Sequence, residues 1–328
     1  MIKLLITGGT GFFGRSILRY LKSKYTNNNL TVSVFSRSPK NFHKKYPIFK
    51  RHPFITFYDC DVLKYESFPK ETEFTHVIHA AAESTFGKKI NKLEWFNQII
   101  NGTKNILDYA IDAGATRFLY VSSGAIYGMH SNKLEFIKEN SLISPDPLIF
   151  ENVYGNSKRT AETLCTIYSN LTNLEAMVAR CFTFSGPDLP LDAHFAFGNF
   201  LNDALNSESI KINGDGSAIR SYLDQADLAE WLWKILIHGR SGNAYNVGSD
   251  QNISIKELAY RIRDQISPNK NIEYFMTPNT LNNCYVPSVE KIKKELKVVQ
   301  NISLEKSIKK TFLYHKFNKK NFYKNVFD

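Results

Sequence analysis

Ile2-Lys3-Leu4-Leu5-Ile6-Thr7-Gly8-Gly9-Thr10-Gly11-Phe12-Phe13-Gly14 opens the chain, and its reading decides the fold. Ile2 to Ile6 is a short, mostly apolar run that reads as a buried strand. The glycines let the backbone turn tightly and approach a pyrophosphate, and Gly14 lets a helix pack close on the strand. Ile17, Leu18 and Leu21, within Arg15 to Lys24, then recur at helical spacing. The free N–H groups and the dipole at that helix's N-terminus favour an anion. A Gly-rich turn alone is common; a strand before it and a helix after it point to a dinucleotide.

Outward from this turn, strands and helices alternate. Strands are predicted at Leu30 to Phe35, Phe54 to Tyr58, His76 to Ala82, Arg117 to Ser123 and Glu175 to Arg180. Helices are predicted from Leu93 to Ala113 and from the Tyr154 segment to Asn170. This is the rhythm of an α/β fold, a Rossmann-type doubly wound parallel sheet with helices on both faces. After Gly186-Pro187 the pattern loosens. Helices are expected at Phe197 to Leu205, Asp224 to Ile237, Ile255 to Ile266 and Val289 to Leu296, with strands at Ile210 to Ile212 and Ala244 to Val247. The domain expectation is a dinucleotide-binding domain over 1–180, to which about 222–248 returns. A smaller C-terminal α/β substrate lobe takes 181–221 and 249–328, including a basic tail. A long loop, Met129 to Asn152, precedes Tyr154 and has the length of a substrate loop or lid.

The chain has 328 residues, 43% of them hydrophobic, which is ample for a sizeable core. No stretch approaches the length of a membrane span. Cys60, Cys165, Cys181 and Cys284 are scattered without paired spacing. That argues against a zinc site or a disulfide framework, so no metal is expected and a cytoplasmic, reducing home fits best. The formal charge of +11 suits nucleic acid, an anionic membrane or an anionic small substrate. The basic residues are spread along the chain; only His315 to Lys324 is locally dense, and it reads as a solvated terminus, so nucleic acid is not the expected partner.

Tyr154 and Lys158 lie four residues apart in Val153-Tyr154-Gly155-Asn156-Ser157-Lys158. On a helix that spacing puts both side chains on one face. A nearby ammonium favours a phenolate and is expected to lower the Tyr154 pKa. A phenol so poised can exchange a proton with a sugar hydroxyl or ketone.

Taken in order, several segments resemble the extended short-chain dehydrogenase/reductase family, in its NAD(P)-dependent nucleotide-sugar epimerase/dehydratase branch. They are Thr7 to Gly14, Asp59-Cys60-Asp61-Val62, His79-Ala80-Ala81-Ala82, Ser122-Ser123-Gly124-Ala125-Ile126-Tyr127-Gly128 and Tyr154-x-x-x-Lys158. Arg180 to Pro187, Gly214-Asp215-Gly216 with Arg220, and Tyr245-Asn246-Val247-Gly248 continue the series. The resemblance covers roughly the first three quarters of the chain. It implies a catalytic set of Ser123, Tyr154 and Lys158, with Tyr154 as acid/base and Lys158 on the nicotinamide ribose. It implies a cofactor site at Gly8, Gly11, Phe12, Phe13, Gly14, Asp61, Val62, Ala80, Ala81, Ala82 and Ser122. It implies substrate contacts at Ser84, Thr85, Ser123, Asn199 and Arg220, the last on the sugar's diphosphate. By spacing alone Asp61 is equally a turn carboxylate. Relatives of this kind often pair as homodimers.

The cofactor is expected to be NADP or NAD. Phe35-Ser36-Arg37-Ser38 ends the second strand without a carboxylate, and Arg37 can hold a 2′-phosphate, which favours NADP(H). The dehydratases of the branch carry an Asp-Glu pair where this chain has Gly124 and Ala125. Neither can move a proton, which disfavours a dehydratase and, less strongly, a decarboxylase. Other departures are Ile99 in Ile99-Ile100-Asn101-Gly102-Thr103, and Thr183 and Ser185 in place of a common Asn and Tyr. The expected function is hydride transfer at one carbon of a nucleotide-diphosphate sugar, of 4-epimerase or 4-ketoreductase type. One alternative is a nucleotide-sugar 4,6-dehydratase or decarboxylase; an alternative of another class is a non-catalytic cofactor-binding protein with a regulatory or nucleic-acid role.

Overall fold

The computed structural model describes residues 1–25, 29–50, 52–82, 91–128, 136–193, 195–275 and 284–317. Ile2–Thr7 (β1), Leu30–Ser36 (β2), Ile55–Asp59 (β3), His76–His79 (β4), Arg117–Ser123 (β5), Glu175–Cys181 (β6) and Ala244–Val247 (β7) form one parallel sheet, in the order β7-β6-β5-β4-β1-β2-β3. The order reverses at β1, with β2 on one side and β4 on the other. Doubly wound sheets bind ligands in the crevice outside the carboxyl ends at such a switch point. The helices are Phe12–Lys24 (α1), Pro39–Lys45 (α2), Lys92–Asp112 (α3), Val153–Leu171 (α4), Ala196–Asn206 (α5), Gln225–His238 (α6), Ile255–Ile266 (α7), Glu290–Leu296 (α8) and Leu304–Lys316 (α9).

Side chains alternate across a strand, and the buried residues obey that rule. Leu4, Ile6, Leu119 and Val121 join one apolar layer with Ile17, Leu18 and Leu21 of α1 and Trp231, Leu232 and Ile235 of α6. Leu5, Phe118 and Tyr120 face the other way, against Ile99, Ile106 and Leu107 of α3 and Ala161 and Cys165 of α4. Both faces of the sheet are therefore covered, and each fully buried Leu or Ile contributes roughly 1.5–3 kcal/mol. A capping box starts α3: Asn91 Oδ1 accepts from the Glu94 amide at 2.8 Å, and Glu94 accepts from the Asn91 amide at 3.3 Å.

A third apolar layer joins α5, α7 and α9 through Phe197, Leu201, Leu258, Ile262, Leu304 and Ile308. It also takes in Ile210 and Ile212 of the strand Ser209–Asn213, which pairs in parallel with Asn271–Phe275. Asp188, in the segment after β6, accepts from Arg19 at 2.6 Å and from Gln225 at 3.0 Å, and its carbonyl accepts from Arg15 at 2.7 Å. That buried cluster ties α1 and α6 to the chain leading into this third layer. Sequence patterning missed α2, α9 and Asn271–Phe275. The last is largely exposed, so it shows no apolar run, and the first part of the basic stretch, His315 and Lys316, ends α9 rather than fraying.

The described part of the long loop, 136–152, is tied to the body. The Ile137 amide donates to Val286 O at 2.9 Å and the Ser288 amide to Ile137 O at 2.8 Å. Glu139 accepts from the Asn246 amide at 2.9 Å through its side chain and from Arg180 at 2.9 Å through its carbonyl. Among the described residues, no helix is long and apolar enough to cross a membrane, and no cluster of His, Cys, Asp and Glu could hold a metal ion.

Candidate active site

A cavity of about 840 Å³ opens where β1, β4, β5 and β6 end. Gly8, Gly11, Phe12 and Phe13 line one side of it, and Ala80 and Ala82 continue from β4. The backbone conformation dictates Gly8: its φ is +69°, and a Cβ there would lie 2.5 Å from Ala80 O. Gly14 lies behind the turn, where a Cβ would lie 2.2 Å from Gly9 Cα, so only glycine lets α1 start this close to β1. Gly11 caps α1 with no side-chain bond, which leaves the first amides of the helix unfilled. Uncapped amides above a glycine floor suit a pyrophosphate.

Ser123 ends β5, and Tyr154 and Lys158 stand one turn apart on α4; all three line the cavity. Ser123 Oγ accepts from the Ala125 amide at 3.1 Å and faces the Tyr154 phenol. The Tyr154 ring stacks on Trp95 of α3 at 4.7 Å and 21°. Lys158 is buried, donates to Val121 O at 2.8 Å, and lies 6.0 Å from the centre of the Tyr154 ring. Burial pulls its pKa down to about 8. The expectation for Tyr154 is corrected here. Burial outweighs the lowering effect of Ser123 and pushes the phenol up to about 12, so in this environment it stands as a neutral proton donor.

The other predicted positions divide. Arg220 lines the cavity, half-buried, with Nη1 on Ile219 O at 2.8 Å. Ser122 also lines it, but its hydroxyl donates to Glu162 at 2.5 Å, and Glu162 in turn holds Arg180 at 2.8 Å. Ala81 packs into the layer beneath α3 and α4. Asp61 accepts from the Leu63 amide at 3.1 Å, which is the turn-carboxylate arrangement, and Val62 is buried beside Gly102. Arg37 comes directly after β2, exposed, and neither it nor Asn199 lines the cavity. Ser84 and Thr85 lie outside the described residues.

Known proteins share this fold. Residues 4–248 match the NAD dependent epimerase/dehydratase family. The chain belongs to that family. UDP-glucuronic acid decarboxylase 2 of Arabidopsis thaliana is 29% identical over 316 residues, which is 94% of this chain and 66% of that relative's length. The chain thus spans just under two thirds of this curated relative. UDP-glucose 4-epimerase of Thermotoga maritima, solved with UDP-glucose, superposes with a TM-score of 0.82 at 21% identity over 96% of this chain and 99% of that one. dTDP-glucose 4,6-dehydratase of Bacillus anthracis, solved with NAD, gives 0.83 at 21% identity over 97% and 98%. The solved structures share the fold, and they include complexes with NAD and with NADPH. The nicotinamide dinucleotide expected from the glycine turn is the cofactor of this epimerase/dehydratase family.

Two site residues of this family member were not read from the sequence. Trp95 lies in α3, where a helix-borne aromatic looks like ordinary core. Tyr285 also lines the cavity, from a segment without strand or helix periodicity. Its amide donates to Ile219 O at 3.0 Å, and its ring lies 4.7 Å from Phe182 and 5.9 Å from the Arg220 guanidinium. Only an aromatic soon after Asn282-Asn283 could have hinted at it.

Proposed function

We propose that this chain is an NAD(P)-dependent enzyme acting on a nucleotide-diphosphate sugar by hydride transfer at one carbon, as a 4-epimerase or 4-ketoreductase. The supporting observation is the lack of an acid beside Ser123. Gly124 and Ala125 carry none, and Glu151 is the one carboxylate lining the cavity among the described residues. Its side chain is 77% exposed and 3.7 Å from Lys92, so it is held outward. Elimination of water needs a group to protonate the leaving oxygen, and beside Ser123 no carboxyl group is in place to do so. Gly8, Gly11, Phe12 and Phe13 hold the pyrophosphate, and Lys158 holds the ribose. Acceptance and return of hydride at the sugar carbon is the chemistry a bound nicotinamide supplies. Tyr154 exchanges the hydroxyl proton at that carbon, Ser123 orients the oxygen, and Arg220 takes the diphosphate at the mouth of the lobe formed by 181–221 and 249–328.

The similarity to decarboxylases supports a second reading. A 4-ketone formed on a glucuronate is a β-keto acid, which loses carbon dioxide without a protonated leaving group. The test is to incubate purified protein and cofactor with UDP-glucose, UDP-glucuronate and dTDP-glucose and track the products by NMR. Inversion at C4, or reduction of the matching 4-keto sugars, is expected. A 4-keto-6-deoxy product or release of carbon dioxide overturns the first reading, and the latter establishes the second.

Cofactor choice gives a further prediction. Arg37 comes directly after β2, the neighbour of β1 at the switch point, and can reach a 2′-phosphate there. Arg37→Ala is expected to weaken NADPH binding about tenfold, the worth of one charge-assisted hydrogen bond, and to leave NADH nearly unchanged. Comparative titration by nucleotide fluorescence checks it; a wild type that prefers NADH, or an unchanged NADPH affinity in the variant, sinks the NADP(H) assignment.

A further inference from the structure

Gly124 and Tyr285 compete for one volume. A Cβ built on Gly124 would lie 2.4 Å from the Tyr285 hydroxyl oxygen and 2.9 Å from Cζ, with Phe182 at 3.0 Å on the other side. The residue directly after Ser123 is therefore without a side chain in a place already filled by a phenol from far along the chain. That phenol lies beside Ser123, whose side chain acts on both it and the Tyr154 phenol. One serine thus faces two tyrosine phenols.

We propose that Tyr285 is a positioning residue of the reacting centre: its hydroxyl fills the space a side chain at 124 would take and holds the Ser123 hydroxyl toward Tyr154. Three observations carry this. The segment bearing Tyr285 is anchored on both sides, with its own amide on Ile219 O at 3.0 Å and the Val286 carbonyl accepting from Ile137 at 2.9 Å. Phe182 and the Arg220 guanidinium flank the ring and restrict its swing. The groups that face the phenol electrostatically are Tyr154, Arg220 and Cys181, with no carboxylate among them. Burial holds the phenol well above its ordinary pKa, so it stays protonated and acts by donating or sharing a hydrogen bond rather than by carrying protons. The arrangement also accounts for glycine at 124. An acid there would have to displace the group that orients Ser123, so the Tyr285 phenol and a dehydratase-type acid cannot occupy this site together.

The inference rests on the proposed oxidoreductase reading of the same site, and its test separates the two. Tyr285→Phe, Gly124→Ala and the double variant are assayed with whichever of UDP-glucose, UDP-glucuronate and dTDP-glucose the wild type turns over, across pH. Tyr285→Phe is expected to lower kcat about tenfold, one hydrogen bond's worth, with KM changed less than about threefold. The limb of the pH profile set by Tyr154 is expected to move to higher pH, because a less firmly held Ser123 bonds the phenolate less well. Gly124→Ala, which displaces the phenol without removing it, is expected to move the same limb the same way, and the double variant to lose less than the two singles added. A Tyr285→Phe enzyme with unchanged kcat and pH profile overturns the role of Tyr285 and leaves the oxidoreductase reading intact. Independent addition of the two substitutions overturns it as well. A wild type inactive toward all three sugars, with no hydride transfer to bound NAD(P), overturns the oxidoreductase reading and this role with it.

Discussion

Tyr154→Phe is expected to lower turnover by about 10²–10⁴-fold, the usual worth of a positioned proton donor, and to leave NAD(P) affinity nearly unchanged. The substitution is clean because the ring keeps its neighbours. Phenylalanine can still stack on Trp95, where the ring centres are 4.7 Å apart, and α4 keeps its packing against α3. The hydroxyl that faces Ser123 is lost. Gly124 and Ala125 are inert, Ser123 is far too weak an acid, and the Lys158 ammonium is committed to Val121 O. Single-turnover absorbance at 340 nm with the active nucleotide sugar, alongside cofactor titration, makes the measurement. Turnover within about threefold of wild type would remove Tyr154 from the proton path.

Lys158→Met is expected to abolish most turnover and yet to stabilise the fold at neutral pH. The loss comes from misplacing a ribose contact, for which about 10²-fold is a reasonable size. The gain comes from burial. The folded-state pKa of Lys158 is about 8, below its ordinary 10.5, so between those values the unfolded chain holds more protons than the folded one. Stability therefore rises with pH across that window. Below about pH 8 the folded protein carries the full cost of a buried ammonium, about 3 kcal/mol for a gap of this size. Methionine has nearly the same volume and no charge. Losing the bond to Val121 O offsets roughly 1 kcal/mol, which leaves a net gain of about 2 kcal/mol. Urea denaturation at pH 7 and at pH 10.5 checks the sign: the advantage should be present at the first and largely gone at the second. A variant less stable than wild type at pH 7, or one whose advantage ignores pH, contradicts the burial argument.

The two variants together separate chemistry from architecture. Tyr154→Phe leaves stability nearly level and removes a proton. Lys158→Met removes the proposed ribose contact and relieves the cost of a buried charge. Such a trade between activity and stability is common at sites that keep a charge in a dry place.

Much of the fold was legible because it is written in short-range periodicity. Strands buried on both faces show as apolar runs, as in Ile2 to Ile6, and helices as residues three and four apart, as in Ile17, Leu18 and Leu21. The glycine turn was legible because positive φ at Gly8 and close approach at Gly14 are demands that one residue type meets. Tyr154 and Lys158 were legible because both sit on one helix. The strand Asn271–Phe275 and the helix α9 were not, since the first is largely exposed and the second lies in a basic stretch that resembles a solvated tail.

By itself, then, the sequence determined the doubly wound sheet, the phosphate-cradling turn and the pairing of a phenol with an ammonium, because each depends on residues within a few turns of one another. The tertiary structure alone decided three things. It placed Trp95 flat against Tyr154 and Tyr285 over Gly124, contacts between segments with no local signal for each other. It set the electrostatics: spacing promised an ammonium that would lower the Tyr154 pKa, but burial raised it, because desolvation depends on everything packed around a group and not on the one neighbour the spacing reveals. And it turned a missing acid after Ser123 from an absence into an arrangement, a glycine whose empty place is filled by a phenol.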